Sequence, residues 1–173
     1  MPLTLLLGGA RSGKSRLAVQ LAEAQRAPVV YLATGESRDE EMQARIELHR
    51  AERPGGWETV EEPLERERAI RAAAADSCLV VDCLSLWVSN ALERHSAEEV
   101  GTLGAAAAEA AASRGGLTIA VSNEVGLGIV PMHPVGRAYR DLLGRVNALW
   151  SEVAGHAYFV VAGRALPLER LGG

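Results

Sequence analysis

The stretch "GGARSGKS", Gly8 to Ser15, sets two glycines, a lysine and a hydroxyl at the spacing G-x-x-x-x-G-K-[ST]. Glycines let the backbone curl so that successive N–H groups point inward. Those groups, with the positive end of a following helix, hold phosphate oxygens. In that arrangement Gly8, Gly9, Ala10, Arg11, Ser12 and Gly13 form the cradle, Lys14 reaches the β- and γ-phosphates, and Ser15 ligates Mg²⁺. A second oxygen ligand for the ion is expected at Asp82, which ends the apolar run "LVVD". The plain alternative is a strand-terminal Asp capping a turn. In "RIELHRAERPGGW" stands His49. A neutral imidazole nitrogen is a nucleophile toward phosphorus. His49 also shares helical spacing with Met42 and Ile46, which would suit a buried side chain. Thr34, Gly35 and Glu36 follow the second apolar run. Asn123 and Glu124 follow the fourth, with Gly126 and Gly128 close behind. Both sets fit ligand contact or an ordinary turn.

These residues must be positioned by the elements around them. Five short apolar runs recur: Leu3–Leu7, Val29–Ala33, Cys78–Val81, Leu117–Val121 and Ala157–Val161. They are nearly continuous rather than alternating, as expected of strands covered on both faces. Helices are expected between them at Lys14–Gln25, Asp39–Arg53, Leu64–Ala75 (after Pro63), Ser96–Ser113 and Val135–Ala154. Ser96 and Glu99 form a capping-box pattern, and Gly115 and Gly116 suit a left-handed helix end. On the last helix Val135, Ala138, Tyr139, Leu142, Val146, Leu149 and Val153 form one apolar stripe. Strands alternating with helices imply an α/β fold: a single P-loop NTPase-like domain over residues 1–173, three layers deep, with a mostly parallel sheet. Ligands of such sheets bind beyond the carboxyl ends of the strands.

Composition narrows the class. Apolar residues make up 48% of the chain but aromatics only 4%, so the core is expected to be aliphatic. No run is long and apolar enough for a membrane span, and the N-terminal residues lack a basic leader pattern, so a cytoplasmic protein is expected. Cys78 and Cys83 give neither a disulfide framework nor a zinc spacing. A net charge of −4 without a basic stripe argues against nucleic acid as the main partner. A GTPase switch would carry N-K-x-D, and "SNEV" stands in the nearest place. The size suits a small-molecule kinase, with a nucleotide-binding regulator as the non-enzymatic alternative.

Four blocks then carry a resemblance: "GGARSGKS", "ARIELHRAERPGGWETVEEP", "VVDCLSLWVSN" and "VSNEVGLGIVP…GRAYRDLLGRVN". Together, over Leu5 to about Val161, they resemble the bifunctional adenosylcobinamide kinase/adenosylcobinamide-phosphate guanylyltransferase family of cobalamin biosynthesis. The resemblance implies two reactions. ATP or GTP phosphorylates the hydroxyl on the aminopropanol arm of adenosylcobinamide. GMP then passes from GTP to adenosylcobinamide phosphate through a guanylylated histidine, giving adenosylcobinamide-GDP and pyrophosphate. The histidine at the matching position is His49. The resemblance also implies nucleotide contacts at Arg50, Ala51, Glu52, Arg53 and Glu61, Mg²⁺ as cofactor, and a homo-oligomer, a trimer. Some relatives carry a second histidine just before the nucleophile; here that position is Leu48. Asp82 stands where others have Glu, and the "TGES" loop varies among relatives.

Overall fold

The computed structural model describes residues 2–36, 40–51 and 54–171; within the second helix the side chains of Glu41, Met42, Arg45, Leu48 and His49 lie outside the description. Seven strands form one sheet in the order β3-β2-β4-β5-β1-β6-β7. The strands are β1 (Leu3–Gly8), β2 (Val29–Ala33), β3 (Glu58–Glu61), β4 (Cys78–Asp82), β5 (Thr118–Asn123), β6 (His156–Val161) and β7 (Arg164–Pro167). All neighbours pair in parallel except β6 and β7, which form an antiparallel hairpin.

The helices are α1 (Lys14–Glu23), α2 (Glu40–Ala51), α3 (Arg66–Ala72), α4 (Leu84–Leu92), α5 (Ala97–Ala112) and α6 (Pro134–Val153). Strand side chains alternate between two apolar layers, and each layer is covered. Leu3, Leu5, Leu7, Val30, Leu32, Leu79 and Val81 pack with α3, α4, α5 and α6 on one face. Leu6, Val29, Tyr31, Cys78, Val80, Ile119 and Val121 pack with α1 on the other. Burial on both faces is why these strands read as unbroken apolar runs.

Some local expectations are corrected. The strand β3 and the hairpin strand β7 were not expected; they are short and largely exposed, so neither carries a buried apolar run. Helix α4 was not expected either. It is apolar on almost every side, with Trp87, Val88 and Ala91 buried, and its N-cap Cys83 makes no side-chain cap. The expected helix from Leu64 starts instead at Arg66, because Glu62 accepts hydrogen bonds from the Leu64 and Glu65 amides and holds a turn there. Ser96 and Glu99 do form the capping box of α5. Gly115 and Gly116, however, do not adopt left-handed φ values. Gly116 is required by a close approach: a Cβ there would lie 2.2 Å from the Ser77 carbonyl oxygen. Next to it Arg114 donates to the carbonyls of Ile70, Ala73, Ala74 and Ser77, closing the C-terminal end of α3. On α6 the buried stripe is Leu142, Leu143, Val146 and Trp150, so Val135 and Ala138 of the expected stripe face outward.

Candidate active site

The phosphate loop joins β1 to α1 at the carboxyl edge of the sheet, with β1 held between β5 and β6. Gly8 is fixed by packing: a Cβ there would lie 2.2 Å from the Val160 carbonyl oxygen. Gly13, the N-cap of α1, has φ 103°, a conformation open to glycine at little cost. Arg11 also takes a positive φ, 54°. Gly9, Ala10 and Arg11 are exposed and Ser12 is buried. The loop is braced from the far side by the β6–β7 turn, where the Gly163 amide donates to the Ser12 carbonyl at 2.9 Å. Ala162 and Gly163 both have positive φ, 50° and 73°, as a two-residue hairpin turn requires.

Lys14 is 7% exposed, and its ammonium donates to the Gly9 carbonyl at 2.7 Å and to Ser12 Oγ at 3.5 Å. Burial lowers its pKa from the usual lysine value, while Cys83 and Asp82 act in the opposite sense. The Asp82 carboxylate therefore lies within electrostatic reach of Lys14. Ser15, on the first turn of α1, is half-buried. Asp82 Oδ2 accepts from the Tyr31 hydroxyl at 2.6 Å. Among the described residues its other oxygen has no hydrogen-bond partner.

A buried network behind Asp82 ties β2 to β4 and α4. Thr34 Oγ1 donates to the Cys83 carbonyl at 2.7 Å and accepts from the Cys83 amide at 2.9 Å. The Thr34 amide donates to the Asp82 carbonyl, and Asn90 Nδ2 donates to the Thr34 carbonyl. Thr34 is fully buried, so its side chain positions the Asp82–Cys83 segment rather than facing a ligand. Arg66, also sealed from solvent, donates from Nη2 to the Cys83 carbonyl at 3.0 Å and stacks over the Trp87 ring. Tyr31, Arg66 and Asn90 were not legible as site residues. Each sits in a segment whose pattern reads as core, and only the strand register brings Tyr31 to Asp82.

The second cluster of expected residues lies at the β2–β3 end of the same edge. Gly35 and Glu36 are half-buried there, and Arg94 approaches Glu36 at 3.9 Å. A Cβ on Gly35 would lie 3.5 Å from the Ile46 side chain of α2. Arg50, near the end of α2, forms an ion pair with Glu61 at the end of β3. Ala51 is exposed. The His49 backbone thus belongs to a helix lying along the carboxyl ends of β2 and β3, while its side chain, with Glu52 and Arg53, is outside the described residues. Trp57 packs on Tyr31 with ring centroids 6.5 Å apart. Asn123 ends β5 and donates across to Ser85, while only Glu124 behaves as a turn residue, its carboxylate accepting from the Gly126 amide.

The sequence that builds this site matches a known protein family. Residues 4–168 match the family described as cobinamide kinase / cobinamide phosphate guanyltransferase. The chain belongs to that family. It is 43% identical over 166 residues to the bifunctional adenosylcobalamin biosynthesis protein CobP of Pseudomonas aeruginosa, covering 95% of this chain and 96% of that protein. It is 35% identical over 185 residues to the CobU protein of Salmonella typhimurium, covering 96% and 99% of the two chains. Among solved structures it resembles an ATPase of a bacterial type III secretion system, with a TM-score of 0.58, 12% identity, and coverage of 91% of this chain and 50% of that one. It also resembles a Pyrococcus horikoshii protein, with a TM-score of 0.57, 8% identity, and coverage of 96% and 85%. Those two likenesses speak to the fold alone, a P-loop α/β sandwich. The chain is therefore a bifunctional cobinamide kinase and cobinamide phosphate guanylyltransferase.

Proposed function

We propose that both reactions are run along one edge of the sheet, with the kinase step at the phosphate loop and the guanylyl group carried by His49. The observation that carries this reading is Lys14. The ammonium of a lysine that is 7% exposed, with a carbonyl and a hydroxyl as its described partners, is compensated when a polyphosphate binds over it. Ser15 and Asp82 are both oxygen donors, the set that suits Mg²⁺ shared with nucleotide phosphates. Bound there, Mg²⁺ supplies neutralisation of phosphate charge.

In the kinase step the substrate hydroxyl oxygen bonds to the γ-phosphorus as the bond to the β–γ bridging oxygen breaks. ADP or GDP leaves, and the hydroxyl proton is released. Lys14 and the loop amides stabilise the charge that develops on the bridge. In the transferase step a His49 ring nitrogen bonds to the α-phosphorus of GTP and pyrophosphate leaves. A cobinamide phosphate oxygen then displaces the imidazole, giving adenosylcobinamide-GDP. The block around His49 supports this reading, as do the positions of Ile46 and Arg50 at the nucleotide edge. Arg50, Ala51, Glu52, Arg53 and Glu61 are the proposed contacts at that end, with Gly35 and Glu36 beside them. Since β4 and β5 intervene between β2 and β1, α2 sits roughly 14 Å along the edge from the phosphate loop, three strand spacings. Transfer from a nucleotide held by Lys14 therefore requires α2 to approach the loop. Assembly as a trimer and a cytoplasmic location belong to the same reading. Among the described residues no helix is long and apolar enough to cross a membrane.

Lys14→Ala tests the shared phosphate site. Both rates are expected to fall by about a hundredfold or more. Either reaction running at the wild-type rate in that variant contradicts the reading.

A further inference from the structure

The loop leaving β5 and the first turn of α6 together carry an unusual load of exposed apolar side chains. Leu127 is 80% exposed, Ile129 95%, Val130 57%, Met132 92% and Val135 79%. Among the described residues no other nine-residue stretch carries as many. The loop is not collapsed onto the core, and it is held in shape. Arg137 donates to the Pro131 and Met132 carbonyls, and Gly136 lies against the Pro131 ring, where a Cβ would approach to 2.9 Å. The loop's first residue is anchored to the phosphate loop, since the Glu124 amide donates to the Gly8 carbonyl at 3.0 Å. Apolar side chains fixed in water at the mouth of a catalytic edge mark a surface that something covers.

We infer that Leu127, Ile129, Val130 and Met132 form the seat for the methyl-bearing rim of the corrinoid substrate's macrocycle. The inference rests on the family's activity, which requires a corrinoid to bind. The chemistry fits. The reacting hydroxyl sits on a short arm, so the ring it hangs from must rest beside the γ-phosphate. Between its amide arms that ring presents methyl groups, which gain from aliphatic contact. β5 is the immediate neighbour of β1, and its outgoing loop is the apolar surface joined to the Gly8 end of the cradle. Cobinamide and cobinamide phosphate share the macrocycle, so one seat serves both reactions.

The test is the double variant Ile129→Ser/Met132→Ser, at two positions exposed enough that folding is unaffected. Its KM for adenosylcobinamide is expected to rise about tenfold or more, as loss of two apolar contacts implies. Its kcat at saturating corrinoid, its KM for GTP and its particle mass are expected to match wild type. Ile129→Leu/Met132→Leu is expected to restore the KM, and Leu103→Ser, an exposed apolar change on α5, to leave it unaltered. An unchanged KM for the corrinoid in the double-serine variant overturns the inference. So does a fall in particle mass with parallel loss of both activities, which would assign the loop to contact between copies of this chain. Wild-type protein with no phosphotransfer to cobinamide at any concentration would instead be a failure of the underlying activity.

Discussion

Lys14 and Arg66 are both buried cations, and their surroundings separate their roles. Lys14 lies among oxygen acceptors near Asp82, in a loop that opens to solvent at Gly9 to Arg11. Arg66 lies on the inner side of the same segment, with Nε and Nη1 buried and unpartnered. Burial brings its pKa down to about 9, even though it bonds the Cys83 carbonyl and stacks 4.6 Å from the Trp87 centroid. Desolvation therefore outweighs the opposing charge interaction with Cys83. Below about pH 9 the guanidinium is charged in the folded and unfolded chain alike, so the penalty is present in full. As pH rises through 9 the folded form releases its proton first, and the penalty fades. Arg66→Met is thus expected to be at least as stable as wild type in urea denaturation at neutral pH, with the gap narrowing above pH 9. Marked destabilisation at neutral pH would show that the Cys83 and Trp87 contacts dominate. Tyr31 acts on Asp82 directly through its 2.6 Å hydrogen bond. Tyr31→Phe is expected to raise the Mg²⁺ concentration needed for half-maximal nucleotide binding by roughly tenfold, the scale of an outer-shell ligand change. Global stability should barely move, and calorimetric titration reads both.

At the scale of elements, the β6–β7 hairpin is what braces the phosphate loop. Gly163 has φ 73°, donates to the Ser12 carbonyl, and lies so near that a Cβ on Gly13 would stand 3.4 Å from its Cα. A β-branched residue is strained at such a φ. Gly163→Val is therefore expected to raise the KM for the nucleotide by about tenfold, one turn's strain being worth a kcal/mol or two. The corrinoid KM should stay fixed; steady-state kinetics with each substrate varied decides it. The sequence made some of these elements plain and hid others. The parallel core strands and α1, α5 and α6 follow from apolar runs, a capping box and helical spacing. α4 escaped notice because an all-round apolar helix without a cap has no periodic signature. β7 escaped because "RALP" is exposed along its whole length. Val135 was misplaced onto the buried face of α6 because a polar-to-apolar stripe cannot show that the helix's first turn overhangs the core.

For the whole molecule, strand order decides what the sequence could not. The phosphate loop, Asp82 and the His49 block are each readable from local pattern, but their separation is set by which strands are neighbours. β5 inserts between β4 and β1, so Asp82 and Lys14 face each other across one intervening strand while α2 lies farther along the edge. Thr34 was expected beside nucleotide and instead faces inward, because β2 and β4 are neighbours and its hydroxyl pairs with Cys83. The loop after β5 becomes part of the catalytic mouth by the same ordering.

The proposed guanylyl-histidine route turns on one covalent bond, and one measurement reads it. Wild-type protein is incubated with Mg²⁺ and α-labelled GTP, then digested under alkaline conditions that preserve a phosphorus–nitrogen bond, and the labelled peptide is sequenced by mass spectrometry. One guanylyl group is expected on His49, lost on adding cobinamide phosphate and absent from His49→Asn, while that variant still phosphorylates cobinamide. Guanylyl label on any other residue, or unimpaired transfer by His49→Asn, would contradict it.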